Sequence, residues 1–291
     1  MKKYFVIITL IIVLLITLTG CTTNNIVKKD EFSIVSSFYP VYTILENITQ
    51  GAQNVKVENM TSTNIGCLHD YTLTTTDLKK LEQADIFIAS GVENFIDSIN
   101  NTYPNLKIIN STTDAPNIIS DEQGINNHMW LDISNYIWQV KVITKNLIEC
   151  NPENKTTYEE NSNSYIQELE ELKTWAKEEF TTTKKCINFD EALDYLKYDM
   201  NLEIYTVKTD HEQSGLSAET ISSIIEYIKQ NNIKNIITSK DSNNTNAEII
   251  AAETGAKIYK LDTAITGNNE DPEAYLSAME YNIEQIKTME D

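Results

Sequence analysis

Hydrophobic and polar positions follow two different periods along this chain, and the switches between them mark out its elements. Short apolar or alternating runs read as strands, and stripes at steps of three, four and seven read as helices. Glu31 to Phe38 alternates as a first strand. Pro40 opens a helix to Gln50, and Gly51 stops it. Val55 to Met60 is a second strand, followed by a polar loop. Thr76 is placed to cap a helix from Asp77 to Ala84. A strand at Asp85 to Ser90, a helix at Val92 to Asn100 and a strand at Leu106 to Asn110 follow. A long loop, Ser111 to Asn127, then leads to a helix capped by Ser134 with Ile137, Val140, Ile143, Leu147 and Ile148 on one face.

The same alternation restarts after residue 182. Strands are expected at Cys186–Phe189, Leu202–Val207, Asn235–Thr238 and Lys257–Leu261. Helices are expected at Glu191–Met200, Ala218–Gln230, Thr245–Glu253 and Pro272–Met289. Strands alternating with helices imply parallel sheets covered on both faces. Between the two runs lies Asn151 to Thr181, the longest unbroken helical pattern. Tyr158, Tyr165, Leu169, Leu172, Trp175, Ala176 and Phe180 share one face of it. At ~1.5 Å per residue such a helix spans roughly 45 Å, more than one small domain needs. The expected fold is therefore α/β: two four-stranded parallel-sheet βα lobes, residues 32–150 and 183–291, joined by one long rigid linker helix, 151–182.

The first residues belong to a different pattern. Lys2 and Lys3, an apolar run from Tyr4 to Leu18 and then Leu18-Thr19-Gly20-Cys21 make an export signal over residues 1–20. The sequence before Cys21 looks like a bacterial lipobox, in which Cys21 is acylated and becomes the new N-terminus. Residues 21–31 then form a polar tether, and the remainder lies outside the cytoplasm, anchored to a membrane. Three cysteines remain, Cys67, Cys150 and Cys186. Cys150 and Cys186 flank the long helix, too far apart to join if it is straight, so free thiols are expected.

Charge narrows the ligand. The formal net charge is −20, and loss of Lys2 and Lys3 with an acid-free leader takes it to −22. That excludes nucleic acid as a partner. The chain contains no Arg, the residue that ordinarily grips carboxylate or phosphate ligands in a fork. A cationic ligand suits this composition.

The chain has only three histidines, His69, His128 and His211. A lone loop His is ordinarily a solvated side chain. His69 and His128, however, each lie in a polar loop after a strand, the second and the fourth. Ligands of open α/β sheets sit beyond the carboxyl ends of strands, where a neutral imidazole is a good transition-metal ligand. Asp190 and Asp262 are the first polar residues after two strands of the second half. An Asp there is commonly a helix cap. Together, though, the four give two imidazoles on one lobe and two carboxylates on the other, a set that balances a divalent cation. Cys67, near His69, reads as a free thiol and His211 as a solvated side chain. Trp130 and Asp132, beside His128, read as packing and helix-start residues, though Asp70 or Asp132 could orient an imidazole.

On these residues the chain resembles the metal-binding solute-binding lipoproteins of bacterial ABC transporters, the zinc and manganese receptors with a rigid helical linker. The likeness covers essentially the whole mature chain. It rests on the lipobox, Phe38-Tyr39-Pro40, His69-Asp70-Tyr71 with Thr75 to Leu81, Ala84-Asp85-Ile86-Phe87, His128-Met129-Trp130-Leu131-Asp132, the Tyr158–Leu172 helix, Glu253 to Lys257 and Tyr275…Met279…Tyr281-Asn282. It implies that His69, His128 and Asp262 are metal ligands.

The third ligand departs from the zinc type. Zinc-type relatives have His, an acid and Ala at the strand end, where this chain has Asp190-Glu191-Ala192. Manganese-type relatives carry a carboxylate there, so Asp190 fits, with Glu191 as the fallback. This harder set leans toward Mn²⁺ or Fe²⁺, while the general affinity order favours Zn²⁺; the metal stays open between Zn²⁺ and Mn²⁺, with Fe²⁺ possible. A second departure is Ser239-Lys240, where relatives often carry Glu-Pro. The resemblance implies a monomeric receptor that delivers its ion to a cognate ABC permease and catalyses no reaction. Two rivals remain open: an exported metallohydrolase, with Glu191 as base, and a metal-stabilised surface adhesin.

Overall fold

Whether a strand is central or at an edge is written in its burial. In the computed structural model, which describes residues 31–61, 71–91, 93–122, 124–208, 216–267 and 271–290, β1 (Phe32–Ser36), β3 (Ile86–Ala89) and β9 (Asn235–Ser239) are almost wholly buried. Continuous Ile, Val and Phe suit a strand covered on both faces. By contrast β2 (Val55–Asn59), β4 (Lys107–Asn110), β8 (Leu202–Thr206) and β10 (Lys257–Leu261) mix buried with exposed or half-buried positions. They are the edges. One sheet runs β2-β1-β3-β4, and the other, with β7 (Lys184–Asn188), runs β10-β9-β7-β8. Every pairing in the two is parallel. Read from the opposite edge, the second order repeats the first. The expected pair of four-stranded parallel sheets is what forms.

The helices of the first half are α1 (Tyr39–Thr49), α2 (Thr75–Gln83), α3 (Ile96–Thr102) and α4 (Ile133–Cys150). After a 3-10 turn at Pro152–Asn154 comes the long helix α5 (Lys155–Glu179). The second half holds a 3-10 stretch at Glu191–Leu196 running into α6 (Lys197–Met200), then α7 (Ala218–Asn231), α8 (Thr245–Thr254) and α9 (Ala274–Lys287). Gly255 ends α8 in the left-handed conformation, φ 76°, which favours glycine.

Two caps differ from expectation. α2 is capped by Thr74, not Thr76: its hydroxyl accepts from the Asp77 N–H, and the Asp77 carboxylate accepts from the Thr74 N–H at 2.7 Å. This reciprocal box uses the acid three residues on and shifts the start back. α4 is capped by Asp132, whose Oδ1 accepts from the N–H groups of Ser134 and Asn135. A carboxylate accepts two such donors at once, which Ser134 cannot match. The long loop also contains a small antiparallel pair, β5 (Ser120–Asp121) and β6 (Gly124–Ile125).

α5 is shorter than expected and is not a free rod. Its buried face holds Tyr158, Ser162, Tyr165, Leu169, Leu172 and Ala176, with Phe180 just beyond. It packs against α1 and α4 on one side of the molecule and α6 and α9 on the other. One continuous hydrophobic core runs from Ile34 and Phe87 through Tyr158 and Leu169 to Cys186, Leu261 and Ile283. At its centre Tyr136 stacks on Tyr275, with ring centroids 3.5 Å apart, and meets Tyr165 edge-on at 6.2 Å. Those rings come from α4, α9 and α5, so both halves and the long helix share one aromatic knot. A smaller cluster around Ile187, Ile228, Ile236 and Ile250 lies under α7 and α8. Cys150 and Cys186 are unpaired, as expected, and burial pushes the Cys186 thiol up to about 12.

Candidate metal centre

Of the four expected ligands, three lie among the described residues: His128, Asp190 and Asp262. His69 lies outside them, as do Cys21, Cys67, Asp70 and His211.

His128 sits just before a 3-10 turn at Met129–Leu131 that leads into α4. It is buried, at 5% exposure. Its Nδ1 lies 2.9 Å from Asn126 Oδ1, and its backbone N–H donates to the same oxygen at 3.0 Å. The Asn126 amide cannot be turned round without loss, because its Nδ2 donates to Glu191 O at 2.8 Å. Its oxygen therefore faces His128, Nδ1 carries the proton, and Nε2 has the lone pair a metal would use. Asp132 takes its helix-start role and not the orienting one: its oxygens go to Ser134, Asn135 and Asn117. Asn126 holds the ring instead.

Asp190 follows β7 and caps the 3-10 stretch, accepting the Ala192 N–H at 3.0 Å. Burial, together with the nearby carboxylates of Glu191 and Asp194, pushes its pKa up, though the Ala192 N–H pulls it down. The fallback Glu191 lines a cavity of about 280 Å³ together with Asp121, Asp194 and Lys208.

Asp262 follows β10 and is 6% exposed. Asn282 of α9 clamps its backbone, accepting the Asp262 N–H at 2.6 Å and donating to the Asp262 carbonyl at 2.8 Å. Asp262 Oδ1 accepts the Ala264 N–H at 2.8 Å, which holds Ala264 at a φ of 54° that alanine rarely adopts. Oδ2 accepts the ammonium of Lys240.

These three positions are joined across the seam between the two sheets through their neighbours. Trp130, two residues after His128, donates its indole N–H to the carbonyl of Thr263, next to Asp262, at 2.8 Å. Tyr275 donates to the Trp130 carbonyl at 2.8 Å. Asn126 reaches Glu191, next to Asp190, and its own carbonyl accepts from Tyr195 at 2.8 Å. The His128 loop is thus bonded to the flank of each carboxylate. Among the described residues, however, no three His, Cys, Asp or Glu side chains stand close enough to hold an ion together. In donor chemistry the set fits a divalent transition metal, one imidazole with its tautomer fixed and two carboxylates.

Sequence reasoning missed Asn126 and the buried Asp199. Asn126 had a signal, an amide two residues before a candidate ligand. Asp199 had none: it accepts the Ile133 N–H at 2.8 Å across 66 positions of sequence.

Two parallel-sheet halves locked by a long helix, with donor-bearing strand ends bonded across the seam, define the helical-linker class of solute receptors. Residues 34–289 match the family described as zinc-uptake complex component A, periplasmic, and the chain belongs to that family. It is 26% identical to the manganese ABC transporter substrate-binding lipoprotein ScaA of Streptococcus gordonii, over 95% of this chain and 96% of that protein. It is 24% identical to the high-affinity zinc uptake system protein ZnuA of Bacillus subtilis, over 89% of this chain and 88% of that one. Among solved structures, the substrate-binding protein FpvC of Pseudomonas aeruginosa with Ni²⁺ superposes with a TM-score of 0.77 at 23% identity, covering 88% of this chain and 96% of that one. That likeness bears on the fold.

Proposed function

We propose that the protein is a lipid-anchored, extracytoplasmic receptor that captures one divalent transition metal, Zn²⁺ or Mn²⁺, and delivers it to an ABC permease for uptake. His69, His128, Asp190 and Asp262 hold the ion, and acylated Cys21 holds the receptor to the membrane. The observation that carries this reading is the His128 loop bonded at once to the flanks of Asp190 and Asp262. Relatives named for zinc and for manganese support the ligand class and leave the choice of metal between the two. Four protein donors leave no open position for a water to be activated, which suits capture without catalysis. The receptor works as a monomer.

The aromatic knot and the continuous core make wide hinge opening costly, so release proceeds by movement of loops at the strand ends. Native mass spectrometry after exposure to mixed divalent metals tests the site. One tightly held ion is expected in the wild type and none in His69→Ala or His128→Ala. Retention of the ion by both variants would refute the assignment.

A further inference from the structure

β9 and β10 are parallel neighbours in a register that pairs Ser239 with Leu261. The next residue on each strand is Lys240 and Asp262. Adjacent strands lie about 4.8 Å apart, so the register itself sets a lysine beside the candidate ligand. Backbone bonds fix both ends: the Lys240 N–H donates to the Leu261 carbonyl at 2.7 Å, and Asn282 clamps Asp262. The Lys240 ammonium then pairs with Asp262 Oδ2, while Ala264 occupies Oδ1. The Asp262 side chain is 9% exposed and that of Lys240 is 37% exposed. The carboxylate is held rigidly, and its partner has a route out to water. Lys240 also follows β9, next to β7, whose end carries Asp190. There the strand order reverses, the place where open α/β sheets bind ligands.

We infer that Lys240 is a tethered, displaceable cation that occupies Asp262 while the ion is absent and gives way when it binds. This rests on the reading of Asp262 as a ligand. The ammonium neutralises a buried carboxylate that would otherwise stand unpaired in the empty receptor. It also competes with the incoming metal. If the paired form outweighs the open form about tenfold, apparent affinity falls by about the same factor. A doubly charged ion able to bind several donors repays that cost, and a singly charged ion does not. Lys240 therefore sets the affinity and screens out monovalent cations.

The test uses the full chain in detergent, with Zn²⁺ and Mn²⁺ as probes against a competing chelator. Lys240→Met is expected to bind both ions about tenfold more tightly, and Asp262→Asn at least a hundredfold more weakly. If Lys240→Met binds equally or more weakly while Asp262→Asn loses affinity, the displaceable lysine is refuted and the site stands. If Asp262→Asn binds like the wild type, the ligand assignment itself falls, and the inference with it. A second readout needs no variant: amine-reactive labelling of the wild type, followed by mass spectrometry. Labelling of Lys240 is expected to rise about threefold or more on Zn²⁺ binding relative to the other lysines. An unchanged rate would overturn the inference.

Discussion

Replacing Asp199 by Asn should stabilise this protein at neutral pH and flatten its pH dependence. Asp199 is 3% exposed. Its Oδ2 accepts the Ile133 N–H, which ties the second half to the start of α4, while Oδ1 is buried without a hydrogen-bond partner. Burial, reinforced by the nearby carboxylate of Asp132, raises its pKa from 3.8 to about 6, partly offset by the Ile133 N–H and by Lys173 and Lys177. A rise of that size corresponds to about 3 kcal/mol. The folded value lies above the unfolded one, so the contribution is fully present below about pH 4 and is lost as the pH rises through about 6. At pH 7.5 the protein therefore carries an ionised, half-satisfied carboxylate. Asn keeps an oxygen for Ile133 and turns a donor toward the field of Asp132. Allowing for imperfect pairing of that amide, Asp199→Asn should gain about 1–3 kcal/mol at pH 7.5. For a chain of this length that is roughly 2–6 °C in Tm. The assay is urea unfolding of wild type and variant at pH 5.0 and 7.5, followed by circular dichroism. Through this group wild type should be more stable at pH 5.0 than at 7.5 by about 1.4 kcal/mol, and the variant should lose that difference. Equal pH dependence in both proteins, or a variant weaker at both pH values, would refute the reasoning.

Three further outcomes follow from the site. Asn126→Ala releases the His128 ring and should weaken Zn²⁺ and Mn²⁺ binding about 10–100-fold, read by chelator competition with folding monitored alongside. Asn282→Leu removes both bonds that clamp the Asp262 backbone. It should cost about 2–4 kcal/mol in urea unfolding and reduce metal affinity as well. Removal of bound metal with a chelator should lower Tm. An excess of metal at 100 times Kd should restore about 2.7 kcal/mol, whereas His128→Ala should show the same Tm with and without metal.

Apolar pattern carried the architecture because burial is periodic. Ile86 to Ala89 and the Lys257–Leu261 alternation show in sequence which strands lie inside and which lie at an edge. Polar pairing is less legible because it follows three-dimensional neighbours. Thr76 is as good a cap as Thr74 until Asp77 is seen closing a box. The β5–β6 pair is two residues a side, too short for any period to register. Positions after strands pointed to His128, Asp190 and Asp262, and the bonds from Trp130 to Thr263 and from Asn126 to Glu191 bring their loops together. Lys240 was visible as a departure beside the cleft. Its pairing with Asp262 came from the β9–β10 register, which strand boundaries alone leave open.

The stacked rings of Tyr136 and Tyr275 have a consequence for how the molecule comes apart. Because the largest core runs without a break from the first sheet to the second, neither half owns a complete interior. Heating should melt the two together in one cooperative step. A gene cut within α5 should yield two fragments that stay unfolded when made separately and regain structure only when mixed.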